Sequence, residues 1–499
     1  MGIIQHLKKL VTTTRELSKR RRAMTSGCLY LLRFMGSILG LSFLITLLAP
    51  PASPAETCEK WVAKVVSVQG TVESLRVGET EWQPVQLNDT YCPGDQIRVQ
   101  ETSRADVTLI NQSVLRLNEN TTMTFEEVKE KRTSLIELLK GAIHFFSPGP
   151  SNLEVNTPFI TAGIRGTEFF ISVEEDKTFL SVFEGKVLAE NKAGSLTLVG
   201  GQSAVAEAGK APVLRVEVRP RDAVRWALYY PPVLYIRPDE FQAGTDWQGM
   251  VRKSIEFYLK GDLQKAFESI EKVPRDIRDP RLFVYRASLL LAVGRVDEAE
   301  VDIEQVLSLD PHYSPTLGLQ TIIAVVQNEK DKALKVAQRA VEVDPNSATA
   351  RVALSYAQQA RFDLEGARAS LEKAVELEPE NALAWARLAE LWLSFGDLDK
   401  ALKAAQKAVS LEPNLSRTQT VLGYAYLTQV KTKQAKEAFE KAIVLDQADP
   451  LPRLGLGLAK IREGDLDEGG RDIEIAASLD PNNSVVRSYL GKTYFEEKR

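Results

Sequence analysis

The run Thr161–Val173, TAGIRGTEFFISV, sets an arginine and a glutamate, Arg165 and Glu168, among Gly163, Gly166 and Thr167, just ahead of an apolar stretch. Two kinds of chemistry fit it. A guanidinium fork offered from a glycine-rich turn can hold a carboxylate or a sugar acid. Alternatively, the glycines take a positive φ or admit a close backbone and so bend a strand. Arg165 and Glu168 then pair with one another or with loop carbonyls to fix the bend. Glycines within strand patterns mark bends and bulges, so the structural reading is preferred.

Other side chains with chemistry to offer are sparse. Three histidines, His6, His144 and His312, stand far apart, which excludes a histidine-rich metal site and argues against a Ser-His-Asp arrangement. His144, in GAIHFF, reads as a structural residue on a strand. There is no GxxxxGK[ST] loop, no GxGxxG after a strand, no GxSxG and no CxxC, so neither a cofactor nor an enzyme is expected. Glu174, Glu175 and Asp176 could supply paired carboxylates for glycoside chemistry, but they fall at a turn between strands, where solvation explains them. Cys58 and Cys92 follow an apolar run that Cys28 precedes. In an oxidising compartment they could tie the start of the first strand to the YCPGD turn. Two free thiols are the alternative, since spacing does not supply the Cα separation a bridge requires.

The elements that would position these residues have distinct textures. At 499 residues, 44% hydrophobic and 26% charged, the chain can bury several cores and should divide into domains. In residues 1–55, Lys8, Lys9, Arg15, Lys19, Arg20, Arg21, Arg22 and Arg33 face Glu16 alone, although the whole chain carries −4. The body is therefore acidic, and nucleic acid is not an expected partner. The basic opening leads into FMGSILGLSFLITLLAP and PASPAE, which reads as a secretory signal cleaved after Ala55. Residues 29–48, with Arg33 snorkelling, also suffice for a retained inner-membrane anchor. Either way the remainder is expected in the periplasm or cell envelope, because the Lys/Arg cluster stays inside.

From 56 to 209, short alternating runs such as WVAKVVSVQGTVESL, RADVTLI and FLSVFEGKVLAEN predict an all-β domain. Glu184-Gly185 reads as a hairpin turn, and SLIELLKGA as the one helix-like exception. Residues 210–245 form a connector rich in proline, in which Asp222 caps a short helix through Tyr230 and Pro231 stops it. Its Trp226, Tyr229 and Tyr230 predict docking onto a neighbouring domain.

From 246 to 499 the chain repeats. Asp310, Asp344, Glu378, Glu412, Asp446 and Asp480 fall 34 residues apart, as do Ala299, Ala333, Ala367, Ala401, Ala435 and Gly469. Paired antiparallel helices need such small residues to approach closely, and each unit buries its apolar face only on its neighbours. The pattern resembles the tetratricopeptide repeat (TPR), most fully in ALAWARLAELWLSFGDLDKALKAAQKAVSLEP. Six clear units follow a weak first one, GDLQKAFESIEKV, and a lone helix, SVVRSYLGKTYFEEKR, ends the run. The resemblance implies an all-α solenoid whose concave face takes a protein partner. Repeat register turns Tyr356, Leu383, Ala386, Glu390, Leu393, Arg417, Tyr424 and Leu427 inward as a candidate groove; packing between neighbouring helices is the alternative for several.

Thr157-Pro158, the run Ala162-Gly163-Ile164-Arg165-Gly166-Thr167-Glu168-Phe169, Val182, Glu184-Gly185-Lys186-Val187 and Gly201-Gln202 resemble the FecR-type domain, over roughly residues 60 to 208. That resemblance implies a periplasmic module first associated with iron-dicitrate signalling. The expected protein is thus an all-β FecR-type domain followed by an all-α TPR solenoid: an exported, non-enzymatic scaffold, the β domain recognising an envelope component and the solenoid binding protein partners. One rival is a periplasmic sensor or regulator in transmembrane signalling that meets a receptor component. The roughly 28 residues ahead of the apolar segment count against it, being too few for a folded cytoplasmic regulatory domain. Another is binding of an envelope glycan, polysaccharide or peptidoglycan, through Trp61, Trp82 and Trp226, for which core packing is the preferred explanation.

Overall fold

The computed structural model describes residues 61–111, 113–126, 134–215, 220–480 and 483–496. The expected signal or anchor, with Cys28 and Cys58, lies outside them. Among the described residues no helix is long and apolar enough to cross a membrane.

Strands come first: β1 (Ala63–Gln69), β2 (Val72–Leu75), β3 (Gln83–Pro84), β4 (Thr90–Tyr91), β5 (Gln96–Val99), β6 (Arg104–Leu109), β7 (Val114–Leu117), β8 (Thr122–Phe125), β9 (Ser134–Asn156), β10 (Thr161–Val173), β11 (Lys177–Asn191), β12 (Gly194–Val199), β13 (Ser203–Glu207) and β14 (Val213–Arg215). They pair antiparallel in a 14-stranded sheet whose main path is β14-β13-β11-β10-β9-β7-β6-β1-β4. β9 also pairs with β8, which leads through β5 to β2 and β3. The two branches enclose a shared core, where Phe145 stacks on Phe169 with ring centres 4.8 Å apart and Tyr91 on Phe125 at 4.7 Å.

Two expectations are corrected here. SLIELLKGA is not helical but opens β9, with Ile136 and Leu138 buried between an outward Glu137 and Leu139. Pairing with β8 over a buried face outweighs the local helical preference of that run. Gly141 then sits at φ +89, where a Cβ would lie 2.4 Å from the Thr121 Cα; the bend it allows carries β9 from β8 across to β7. Glu184-Gly185 is not a hairpin turn either. β11 runs through it, with Gly185 at φ +104 beside a register irregularity between Gly166 and Glu168. That irregularity lets the two halves of β11 take different outer partners, β13 and then β12.

The connector expected from 210 first adds β14 to the sheet beside β13; its later part begins as a 3-10 segment, Pro220–Ala227, shorter than the expected helix to Tyr230, and continues without regular structure to a second turn at Pro238–Glu240. Helices follow: α1 (Trp247–Tyr258), α2 (Leu263–Ile270), α3 (Pro280–Ala292), α4 (Val296–Leu309), α5 (Ser314–Val326), α6 (Lys330–Val343), α7 (Ala348–Ala360), α8 (Leu364–Leu377), α9 (Ala382–Phe395), α10 (Leu398–Leu411), α11 (Ser416–Thr428), α12 (Thr432–Leu445), α13 (Pro450–Glu463), α14 (Leu466–Leu479) and α15 (Ser484–Glu496). Side-chain caps start many of them; Asp363, Asn381, Asp397 and Asp465 each accept a first-turn N–H. The recurring alanines, Ala299, Ala333, Ala367, Ala401 and Ala435, are fully buried where paired helices meet. The array curls back on itself, for a Cβ on Gly261 in the α1–α2 turn would lie 3.3 Å from the Leu445 carbonyl at the end of α12.

Candidate functional site

A sheet with one wet face alternates buried and exposed residues along each strand. β7 is buried at every position, and so are Ala142–Ser147 of β9, so the second face of these strands is covered as well. Cross-strand register sets Asp106, Arg116 and His144 in one row on β6, β7 and β9. Arg116, wholly buried, lies with Nε 2.8 Å from the Asp106 carboxylate. Its Nη1 donates to two carbonyls, Ala227 of the connector and Leu479 at the end of α14. One guanidinium thereby joins sheet, connector and helical array.

Neighbouring contacts extend the joint. Arg104 donates to Gln69 Oε1 at 2.9 Å and to the Trp226 carbonyl at 2.7 Å. Its burial, and then the adjacent Arg116 charge, press its pKa down to about 10. Gln69 donates to the Ala292 carbonyl at 3.0 Å, the Val68 N–H to Gln447 Oε1 at 2.9 Å, and Arg453 to the Val66 carbonyl at 3.3 Å. Phe146 of β9 packs with Leu454, Ile473 and Leu490 of the last helices. Gly294, at φ +80 in the α3–α4 turn, has the Trp226 carbonyl 2.0 Å from where a Cβ would stand.

The glycine–arginine motif lies on β10, partly in this joint. Arg165 does not pair with Glu168. Arg165 is exposed on the outer face, opposite Asn152 and Lys186, whereas Glu168, past the irregularity spanned by Gly166 and Thr167, is buried. Glu168 lies 3.2 Å from His144 Nε2 and accepts a two-pronged contact from Arg221 of the connector at 3.0 and 3.1 Å. Burial alone would raise the Glu168 carboxyl, but His144 and then Arg221 overcome it and hold the group at about 2. The motif therefore latches connector to sheet. Gly163 takes no positive φ and meets no close backbone: the nearest atom to a Cβ there is the Leu188 carbonyl oxygen at 3.9 Å. It leaves the outer face low beside exposed Arg165, Lys186, Leu188 and Val199, which adjoin one another on β10, β11 and β12.

The other expected residues fall as follows. Cys92 is in a disulfide, while Cys58 lies outside the described residues. Core packing does not hold for Trp61, at 36% exposure, or for Trp82, over which the Arg98 guanidinium stacks 4.2 Å from the ring centre. Trp226 packs on the cluster of Ala142, Phe170, Val224 and Ala227.

On the helical array, Arg387 lies 3.8 Å over the Tyr356 ring and bonds Glu390 at 2.7 Å. Glu390 takes Arg417 at 2.6 Å, and Arg417 faces Asp449 at 3.8 Å. The Tyr424 hydroxyl donates to the Leu451 carbonyl at 2.8 Å. These side chains form a chain of contacts across α7, α9, α11 and α13, but not an open groove. Leu383, Ala386, Leu393 and Leu427 are buried, and Arg417 retains 7% side-chain exposure.

The connector closes this region. It runs against the array's direction across successive unit ends: the Tyr229 hydroxyl donates to Asp446 at 3.2 Å, the Tyr235 hydroxyl to Glu412 at 3.1 Å, and Arg237 to Glu380 at 3.2 Å. Leu228, Tyr230, Val233 and Phe241 join the main helical core. Burial beneath it pushes the Asp449 carboxyl up to about 7 and that of Asp446 upward as well. Two of the acids it meets, Asp446 and Glu412, belong to the 34-residue series. That regular series of acids was the sequence signal for a basic or hydroxyl-bearing strap across the unit ends.

Residues 95–188 match a family model described as FecR protein, and residues 356–423 and 416–449 match two described as tetratricopeptide repeat. The chain therefore carries a FecR domain and C-terminal TPR repeats. No curated protein matches it. Among solved structures it is similar to a tetratricopeptide repeat protein from Parabacteroides merdae, at 20% identity over 50% of this chain and 99% of that one, with a TM-score of 0.34. It is similar to a putative anti-sigma factor from Parabacteroides distasonis at 20% identity, over 29% and 69% of the two chains, with a TM-score of 0.24. A third likeness, to the APC/C hetero-tetramer Cut9–Hcn1, has 16% identity and a TM-score of 0.38, and spans about half of each chain, 48%.

Proposed function

We propose that this chain is a non-enzymatic adaptor, exported to the bacterial cell envelope, whose FecR domain and TPR array act as one body that brings two protein partners together. The observation that carries the reading is the joint at Arg116, where a single buried side chain ties β7, the connector and α14. Two recognition surfaces fixed on one body hold their ligands at a high effective concentration. For the FecR domain that surface is the outer face around Arg165, Lys186, Leu188 and Val199; for the array it is the side the connector leaves uncovered. Export rests on the basic opening followed by an apolar run.

A second reading, as a signalling regulator, is favoured by the connector itself. A strap held to the unit ends by Tyr229, Tyr235 and Arg237 can be displaced by a competing ligand, changing how the FecR domain sits. The test is site-specific photo-crosslinking of the full chain in intact envelopes, with the reactive group at Arg165 in one preparation and at Glu378 in another. The adaptor reading expects a discrete protein partner at each site. Capture of glycan or lipid alone at Arg165 would replace it with envelope binding, and one shared partner released from Glu378 when the connector is cut would favour regulation.

A further inference from the structure

The connector leaves part of the array's edge uncovered, and there a cleft of about 720 Å³ opens between its residues Leu234–Phe241 and the unit ends at Asp344–Thr349 and Glu378–Asn381. Its size is that of a ligand-binding cleft. Two features say what fits it. First, the connector forms one wall without helix, strand or turn up to an extended Arg237, and among the described residues no backbone N–H or C=O from Val233 to Ile236 has a hydrogen-bond partner. Such a wall offers the ladder of a strand edge, to which an extended peptide adds by main-chain bonds. Second, the lining carries four carboxylates, Glu240, Asp344, Glu378 and Glu380, against two guanidiniums, Arg237 and Arg281. Arg281 is already neutralised by a two-pronged contact with Asp279, outside the lining, at 2.6 Å and 3.0 Å. The cleft is thus acidic, and the connector shows how its carboxylates are used, since Arg237 reaches Glu380 at 3.2 Å.

We propose that this cleft is a docking site for an extended basic segment of a partner protein, paired by its backbone to Leu234–Ile236 and placing Lys or Arg side chains on Asp344 and Glu378. The site is composite, built by connector and array together, and so exists only while the connector is seated. The proposal rests on the adaptor reading and names the chemistry of the array's partner.

The test is selection of a phage-displayed library of random extended peptides on the full chain, followed by binding of the enriched peptides to two variants. Peptides enriched in Lys and Arg are expected, with affinity falling at least tenfold on Asp344→Asn with Glu378→Lys, which leave the Arg237–Glu380 contact of the connector in place, and unchanged on Glu440→Lys, a helix-surface control. N-methylation of alternate amides in an enriched peptide should abolish binding, which charge attraction alone would not produce. Absence of enrichment, enrichment indifferent to the Asp344 and Glu378 changes, or indifference to N-methylation would each overturn the proposal. A protein captured at Glu378 in the envelope experiment whose binding ignores these variants would leave the adaptor reading standing while removing this one.

Discussion

Replacing Arg116 by methionine tests the joint at its centre. The side chain is fully buried and its partner Asp106 equally so, so the substitution strands a carboxylate in the interior. It also leaves the Ala227 and Leu479 carbonyls without their donor. Removing one member of a buried pair costs about 3 to 5 kcal/mol, and each stranded carbonyl belongs to a group of contacts whose loss costs about 1 to 3 kcal/mol. A loss of at least about 5 kcal/mol is therefore expected in equilibrium denaturation of the full chain. Adding Asp106→Asn removes the stranded charge, and the double variant should be more stable than Arg116→Met alone, a coupling that a double-mutant cycle reads directly. Two results would refute the reasoning: a loss below about 1 kcal/mol for the single variant, or a second change that adds to the damage.

The remaining predictions concern the latch and the α3–α4 turn. Glu168 is held at about 2 in the folded chain against an ordinary value of 4.5, so its ionised form supports the fold. That contribution, about 3 kcal/mol, is complete above pH 4.5 and is lost as pH falls toward 2. Acid titration of stability should show a slope across that window that Glu168→Gln reduces, with the remainder set by other lowered carboxylates such as Glu73 and Asp279; an unchanged slope would show that Glu168 does not contribute. Gly294→Ala should cost far more than Gly396→Ala. Both glycines have φ near +80 (+80 and +79), but a Cβ at 294 meets the Trp226 carbonyl whereas at 396 it meets open space. The strain of a left-handed residue alone, about 1 to 2 kcal/mol, is the expectation at 396, and equal losses at the two sites would show that the connector is not seated there.

The repeats were readable because a solenoid writes its step into the sequence: acids and alanines every 34 residues fix both the helix pairs and their close approach. The strand-rich half was readable as a texture, and the motif around Arg165 as a family resemblance, but the partners of its side chains were not. Arg165 and Glu168 are three apart, which would put them on opposite faces of a regular strand; the irregularity after Gly166 resets the alternation, so both lie on the face away from the Phe145–Phe169 core, Arg165 bare and Glu168 beneath the connector. Glu168 finds Arg221, 53 residues on, across a domain boundary that local pattern cannot cross. Ile143-His144-Phe145 and Leu115-Arg116-Leu117 keep the apolar–polar alternation of a half-wet strand, so the burial of their second face is not written in the local pattern. The candidate groove failed for a related reason: repeat register finds the inward positions of an array standing alone, while here the chain's own connector lies over the unit ends. Removing residues 415–499 should accordingly loosen the FecR domain, since Arg116, Val66 and Val68 all bond to that segment.

The central claim is that the two halves form one body, and thermal unfolding of the full chain followed by two probes at once tests it most directly. One probe reads helix content, which comes from the array; the other is a fluorophore attached at Val77, an exposed site on the strand-rich half. Coincident transitions, separated into two by Arg116→Met, are the predicted result. Two resolved transitions in the unaltered chain, unmoved by Arg116→Met, would contradict it.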